Sequence, residues 1–169
     1  LCDSLVNFFE KNIQKSFQSK TEHRCFQELS LRDFPQHRED AHELFKSFVE
    51  QYQKDNNINY HCWPYSYELE NTRFKKYLPN TNDRFEIHAD ATERDTATRF
   101  LAFFIYLTDN DSGHTSFPTR DIKIQPKKGR LLMFPPNFCY PHIGEKVIDK
   151  PKYILGNYAH VMSEKPLTT

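Results

Sequence analysis

The chain has 169 residues, of which 37% are hydrophobic, 15% aromatic and 27% charged, enough apolar material for one domain with its own core. Lys plus Arg and Asp plus Glu number 23 each, so the zero net charge argues against nonspecific nucleic-acid binding, and the aromatic content excludes a disordered tail. The longest apolar run, Phe100 to Leu107, is far short of a membrane span. In residues 1–17, Leu5, Phe8, Phe9, Ile13 and Phe17 recur at three-to-four spacing, which predicts an amphipathic helix. Residues 21–38 read as an irregular connection. A second helix is expected from an Asp40 N-cap with Glu43 three residues on, carrying Leu44, Phe45, Phe48 and Tyr52. From Trp63 the period changes to that of strands, at 67–77, 84–88, 99–108, 121–125, 130–134 and 152–160. Short strands with polar turns and no helix between them predict a sandwich or jelly roll. The fold class is thus α+β, mainly β: residues 1–60 as helical support and 63–162 as the core of one 1–169 domain.

Cys2, Cys25, Cys62 and Cys139 are widely spaced and form no Cys-x-x-Cys pair, which excludes a zinc ribbon or finger. Free thiols and a reducing, cytoplasmic setting are expected, no signal peptide being visible. The chain begins without Met, as one from which an upstream segment had been removed would.

Eight histidines prompt a search for metal ligands. His88-Ala89-Asp90 is a pattern that chance supplies about once in two such chains. Its setting strengthens it, because residues two apart in an extended chain share a face. An imidazole and a carboxylate can therefore converge, and a third ligand from a later strand would complete the two-His-one-carboxylate arrangement of non-heme Fe(II). His142 follows the expected strand 130–134, and Lys152 stands ten residues further on. Taken singly, each residue also has an ordinary role open to it: a strand-pair bond for His88 and Asp90, a loop for His142, a strand end for Lys152.

With these residues the stretch from Phe85 to His160 resembles the 2-oxoglutarate- and Fe(II)-dependent dioxygenases, in particular their prolyl 4-hydroxylase-like branch. The resemblance rests on His88-Ala89-Asp90, Tyr106-Leu107-Thr108-Asp109, Gly113-His114-Thr115-Ser116-Phe117-Pro118, the run from Pro126 to Pro135, His142-x-Gly144 and Lys152-Tyr153. It implies a double-stranded β-helix with the N-terminal helices packed outside. It implies Fe(II) on His88, Asp90 and His142, with 2-oxoglutarate and O2 as cosubstrates and ascorbate as a possible reductant. Lys152 would face the far carboxylate of 2-oxoglutarate, with Thr115 and, less closely matched, Tyr77 beside it. The implied reaction hydroxylates a C–H bond of a prolyl or other peptidyl or amino-acid substrate and decarboxylates 2-oxoglutarate to succinate. The same chemistry on another small molecule, or a silent jelly-roll binder, are the alternatives.

Ser112 and His114 stand where that family usually has Gly and Glu, and His114 reads as a surface residue. Ile148, where the nucleic-acid dealkylases would carry Arg, disfavours that branch. On the last strand Lys152, Ile154, Gly156 and Tyr158 share a face, which aims Tyr158 at the same pocket. Trp63, Tyr65 and Tyr67 read as core packing or a peptide-stacking surface, and 92–98 as a surface loop or lid. All four glycines (Gly113, Gly129, Gly144 and Gly156) fall in or beside these motifs.

Overall fold

A computed structural model describes residues 1–162; the last seven, 163–169, of the single domain expected from length lie outside the described residues. Two α-helices, α1 (Cys2–Lys11) and α2 (Pro35–Asp55), accompany eleven strands. The strands are β1 (Phe17–Lys20), β2 (Arg24–Ser30), β3 (Tyr67–Leu69), β4 (Arg73–Tyr77), β5 (Arg84–His88) and β6 (Arg99–Tyr106). They continue as β7 (Thr115–Phe117), β8 (Ile122–Ile124), β9 (Leu131–Phe134), β10 (His142–Gly144) and β11 (Lys152–Val161). The hydrogen-bonded order is β8-β7-β10-β5-β2-β4-β11-β6-β9, with β1 on β2 and β3 on β11, and every pairing is antiparallel. The sheet curls until residues from both of its ends line one cavity, which is the jelly-roll architecture the strand pattern predicts.

The helices cover the outer face. Phe9 from α1 and Ala41, Phe45 and Val49 from α2 pack on Leu29, Phe74, Leu101, Phe103, Ile105, Tyr153, Leu155 and Ala159. Burial of these apolar groups is the main force holding helix to sheet. A polar clamp reinforces it: Tyr153 Oη (2.6 Å) and Lys76 Nζ (2.8 Å) both donate to Glu10 Oε1. Trp63 packs into the same core, edge-on to Phe100, whereas Tyr65 is exposed.

Four local expectations need correction. The helix expected over residues 1–17 ends at Lys11, and Phe17 opens β1 with its ring exposed, outside the helix's apolar stripe. The 21–38 segment is no irregular connection, and 1–60 is not helical support alone: β1 and β2 lie there, and β2 joins β4 to β5 at the centre of the sheet. Its apolar residues, Phe26 and Leu29, are three apart on opposite faces, so no period of two shows. Helix α2 starts at Pro35, not Asp40, since proline supplies a helical φ and needs no N–H partner in a first turn. Asp40 instead accepts a bond from Gln36 Nε2 one turn earlier (2.8 Å). The strand expected at 67–77 is two strands, because four steps from Leu69 to Arg73 face three from Ala159 to Gly156. The surplus residue breaks the ladder as a bulge does, and Asn157 Nδ2 fills the gap by donating to Glu70 O (2.7 Å) and Thr72 Oγ1 (2.8 Å).

Phe9 is fully buried and touches Phe74 and Tyr153 ring to ring. Phe9→Ala should lower unfolding free energy by about 3–5 kcal/mol in urea titration. A loss below about 1 kcal/mol would show α1 to be a detachable appendage.

Candidate active site

Antiparallel pairing of β5 with β10 sets His88 directly opposite His142. Opposed residues on one sheet face lie close, and the two imidazole centroids are 4.2 Å apart. Asp90 lies two residues past His88, just beyond the end of β5, and is not held by a ladder. Its loop is pinned instead by the N–H groups of Asp90 (2.9 Å) and Ala91 (3.0 Å), both donated to Pro136 O after β9. One nitrogen or oxygen from each of His88, Asp90 and His142 falls within 4.8 Å of the others.

The protonation of the trio follows from its neighbours. His88 Nδ1 lies 2.7 Å from Glu86 O, and His142 Nδ1 lies 3.2 Å from Tyr140 O. A carbonyl can only accept, so in both rings Nδ1 carries the proton and donates, and in the neutral ring Nε2 is the atom left with a bare lone pair. Those two lone pairs face the Asp90 carboxylate, at 3.3 Å from His88 Nε2 to Oδ1 and 3.5 Å from His142 Nε2 to Oδ2. Three acceptors turned on one another in a buried site repel unless a cation lies between them. This donor set fits a divalent metal, and two imidazoles with one carboxylate on a single side suit Fe(II) with open positions.

Electrostatics agree. Burial pushes the His142 imidazole down to about 4, so it is neutral and ready to ligate. Burial opposes the Asp90 charge, but a proton held on His88 or His142 in the metal-free site favours it more, so the carboxyl stays ionised below the usual carboxylate range, as a ligand must be. Tyr158 Oη donates to Asp90 Oδ1 (2.9 Å), as the shared face along β11 anticipates. Arg99 steadies both, lying 4.0 Å over the Tyr158 ring and donating from Nη1 to Asp90 O (2.8 Å). Phe85 stacks on His88 at 3.4 Å between centroids, and Phe134 meets His142 edge-on at 4.8 Å.

The cavity runs from this trio to a floor formed by Lys152, Tyr77, Thr115 and Tyr106. Lys152 is opposite Tyr77 in the β4–β11 register, 2% exposed, with its ammonium 4.3 Å from the Tyr77 ring centroid. It donates to Gly113 O (2.7 Å), and burial pushes it down to about 7. Gly113 has φ +68°, and a Cβ there would lie 2.7 Å from Val147 Cγ2, so backbone conformation and space both require glycine. Ser112 and Asp149 hydrogen-bond beside it, which ties down the segment that supplies the carbonyl. Thr115 Oγ1 accepts from Tyr106 Oη (2.7 Å).

The structure therefore brings His88, Asp90, His142, Lys152, Thr115, Tyr77 and Tyr158 to one cavity. His114 is not among the lining residues and stands 3.8 Å from Glu145. Sequence reading missed Tyr106, Arg73 and Lys75 as part of the wall. Strand parity could have found them, since Arg73 and Lys75 share a face with Tyr77 and Tyr106 shares one with Phe104 and Ala102.

Comparison with known proteins gives the same answer by another route. Residues 72–160, just over half the chain, match the family described as the 2OG-Fe(II) oxygenase superfamily. No curated protein matches significantly. Among solved structures, the chain is similar to a viral collagen prolyl hydroxylase from Paramecium Bursaria Chlorella virus-1 in its 2OG complex (TM-score 0.66, 22% identity, 95% of this chain and 90% of that one). It is also similar to a Pseudomonas putida prolyl-4-hydroxylase (TM-score 0.68, 14% identity, 96% and 86%). A third is a Trichoplax adhaerens prolyl hydroxylase in complex with a hypoxia inducible factor oxygen degradation domain peptide fragment (TM-score 0.70, 16% identity, 99% and 79%). These likenesses establish the prolyl-hydroxylase fold, and the family implies Fe(II) and 2-oxoglutarate. The chain belongs to the 2OG-Fe(II) oxygenase superfamily and is a 2-oxoglutarate-dependent dioxygenase.

Proposed function

We propose that this enzyme hydroxylates a C–H bond of a prolyl or other peptidyl or amino-acid substrate and decarboxylates 2-oxoglutarate to succinate as it does so. The observation that carries the reading is the convergence of three bare acceptors on His88, Asp90 and His142 at one end of a cavity whose floor is a buried ammonium. His88, Asp90 and His142 would hold Fe(II), which when bound supplies the oxidation chemistry with O2. The carbonyls of Glu86 and Tyr140 keep both imidazoles in the ligating tautomer. Tyr158 and Arg99 hold the Asp90 carboxylate and its backbone in place.

Lys152 would take the far carboxylate of 2-oxoglutarate. An ammonium this deep, with only a carbonyl and a ring for company, gains most from an anion. Thr115 offers its hydroxyl on the same floor, and Tyr77 closes the wall behind Lys152. Phe85, Phe134 and Phe117 exclude water around the trio. The prolyl assignment is supported by the fold shared with prolyl hydroxylases, one of them bound to a peptide. The reading includes ascorbate as reductant and no nucleic-acid partner. A cytoplasmic setting belongs to it too, on the free thiols of Cys2, Cys25, Cys62 and Cys139. No helix among the described residues is long and apolar enough to cross a membrane.

Wild-type protein with Fe(II), O2 and ascorbate should form succinate from 2-oxoglutarate, and a peptide array read by mass spectrometry should show hydroxylation of proline. His142→Ala should lower succinate formation at least about a hundredfold, since even losing a neighbour of a metal ligand costs 10–100-fold. Undiminished turnover in that variant would refute the ligand assignment.

Lys152→Met should weaken 2-oxoglutarate binding by about ten- to a hundredfold while sparing metal affinity, as calorimetry can measure. The pH dependence has a definite sign. The free site's Lys152 loses its proton as pH rises through about 7, and a bound carboxylate favours the charged form. Affinity for 2-oxoglutarate should therefore fall, and proton uptake on binding appear, as pH is raised from 7 to 9. The Lys152→Met variant should lack both effects; their persistence in it would assign the titration to another group.

A further inference from the structure

Four residues lining the cavity carry a charged side chain: Arg73, Lys75, Asp90 and Lys152. Three are accounted for. Arg73 is ion-paired with Glu70, Asp90 faces the two imidazoles, and Lys152 donates to Gly113 O. Lys75 is not. Its ammonium lies over aromatic faces, 4.9 Å from the Phe26 ring centroid and 5.5 Å from that of Phe85, the ring stacked on His88. Glu28 is its cross-strand partner, yet among the described residues no carboxylate comes within ion-pairing distance of it; Glu28 and Asp90 act on it only from further off.

Its level in the cavity is fixed by register. On β4, Tyr77 is opposite Lys152 and Lys75 is opposite Ile154, one same-face step nearer the mouth. That step is about 6.6–6.8 Å. A five-carbon dicarboxylate is about 5–7 Å from end to end, by its bond lengths. One ammonium at the floor and one a step above it thus match the spacing of the ligand's two charged ends.

We propose that Lys75 is a second carboxylate-binding group of this cavity, receiving the C1 carboxylate of the 2-oxo acid whose far carboxylate meets Lys152. The inference rests on the 2-oxoglutarate reading above and deepens it. It makes the site selective for a dianion: an oxo acid lacking either carboxylate leaves one ammonium of the cavity without a counter-charge. It also gives Lys75 a reason to stand in an aromatic wall where, unpaired, burial works against its charge.

Calorimetric titration of the Mn(II)-loaded protein under anaerobic conditions separates the two ends. The ligands are 2-oxoglutarate and 4-oxopentanoate, which keeps the keto group and far carboxylate but has a methyl group in place of C1. Lys75→Met should weaken 2-oxoglutarate at least about tenfold and leave 4-oxopentanoate unchanged, whereas Lys152→Met weakens both. Lys75→Gln repeats the comparison if the Met variant does not fold. Unchanged 2-oxoglutarate affinity overturns the assignment. If it comes with a lower melting temperature that Glu28→Gln restores, Lys75 serves as the counter-ion of Glu28. If it comes without one, any carboxylate that Lys75 meets comes from the hydroxylated substrate. A wild-type protein that does not bind 2-oxoglutarate refutes the underlying reading instead, and this assignment with it.

Discussion

Register between β5 and β10 is the constraint on which the site depends. A slip of one residue in either strand would turn one of the imidazoles to the opposite face. With His88 and His142 opposed, the trio needs only Asp90 to be brought round, and the two N–H bonds to Pro136 O accomplish that. The site is therefore built from three separate devices: a cross-strand pair, a pinned loop, and carbonyls that dictate tautomer. The first is a property of the sheet, the other two of the chain segments just before and after the ligands.

The cavity is arranged as an electrostatic gradient. At one end, acceptors face acceptors and call for a cation. At the other, a buried ammonium calls for an anion, and Lys75 adds a second positive charge between floor and mouth. Both ends are unfavourable by themselves, since like groups are held together away from water. Such a site costs stability, and the outer face is where the compensating apolar burial lies, in the helices packed over β2, β4, β6 and β11. The N-terminal segment thus supports function at a distance. It also does so directly, because β2 bridges the part of the sheet carrying Lys152 to the part carrying His88.

The residues around the trio show how a sheet passes order to a candidate metal site. The bulge between β3 and β4 frees Glu70 to bind Arg99, and Arg99 in turn holds Tyr158 and the Asp90 carbonyl. His160 also meets the same Glu70. None of these residues belongs to the trio, yet each limits where the Asp90 carboxylate can lie.

By itself the sequence determined the jelly-roll class, and it singled out His88, Asp90 and His142 as candidate ligands and Lys152 as the candidate counter-charge of the cavity floor. Those readings came from strand patterning, from short motifs and from the family resemblance that the motifs carry, all of which are local to the chain. Tyr158 was legible for the same reason, as it stands three same-face steps from Lys152. Only the tertiary structure decided the rest. Strands β7 and β10 have three residues each, too short for a periodic signal, and exist because their neighbours supply hydrogen bonds. Strand β2 has apolar residues at helical spacing and is a strand because β4 and β5 flank it. Lys75 reads from sequence as one of two adjacent lysines of equal standing. The sheet parts them, turning Lys76 outward to Glu10 on α1 and Lys75 inward to the cavity, since alternate residues of a strand face opposite ways.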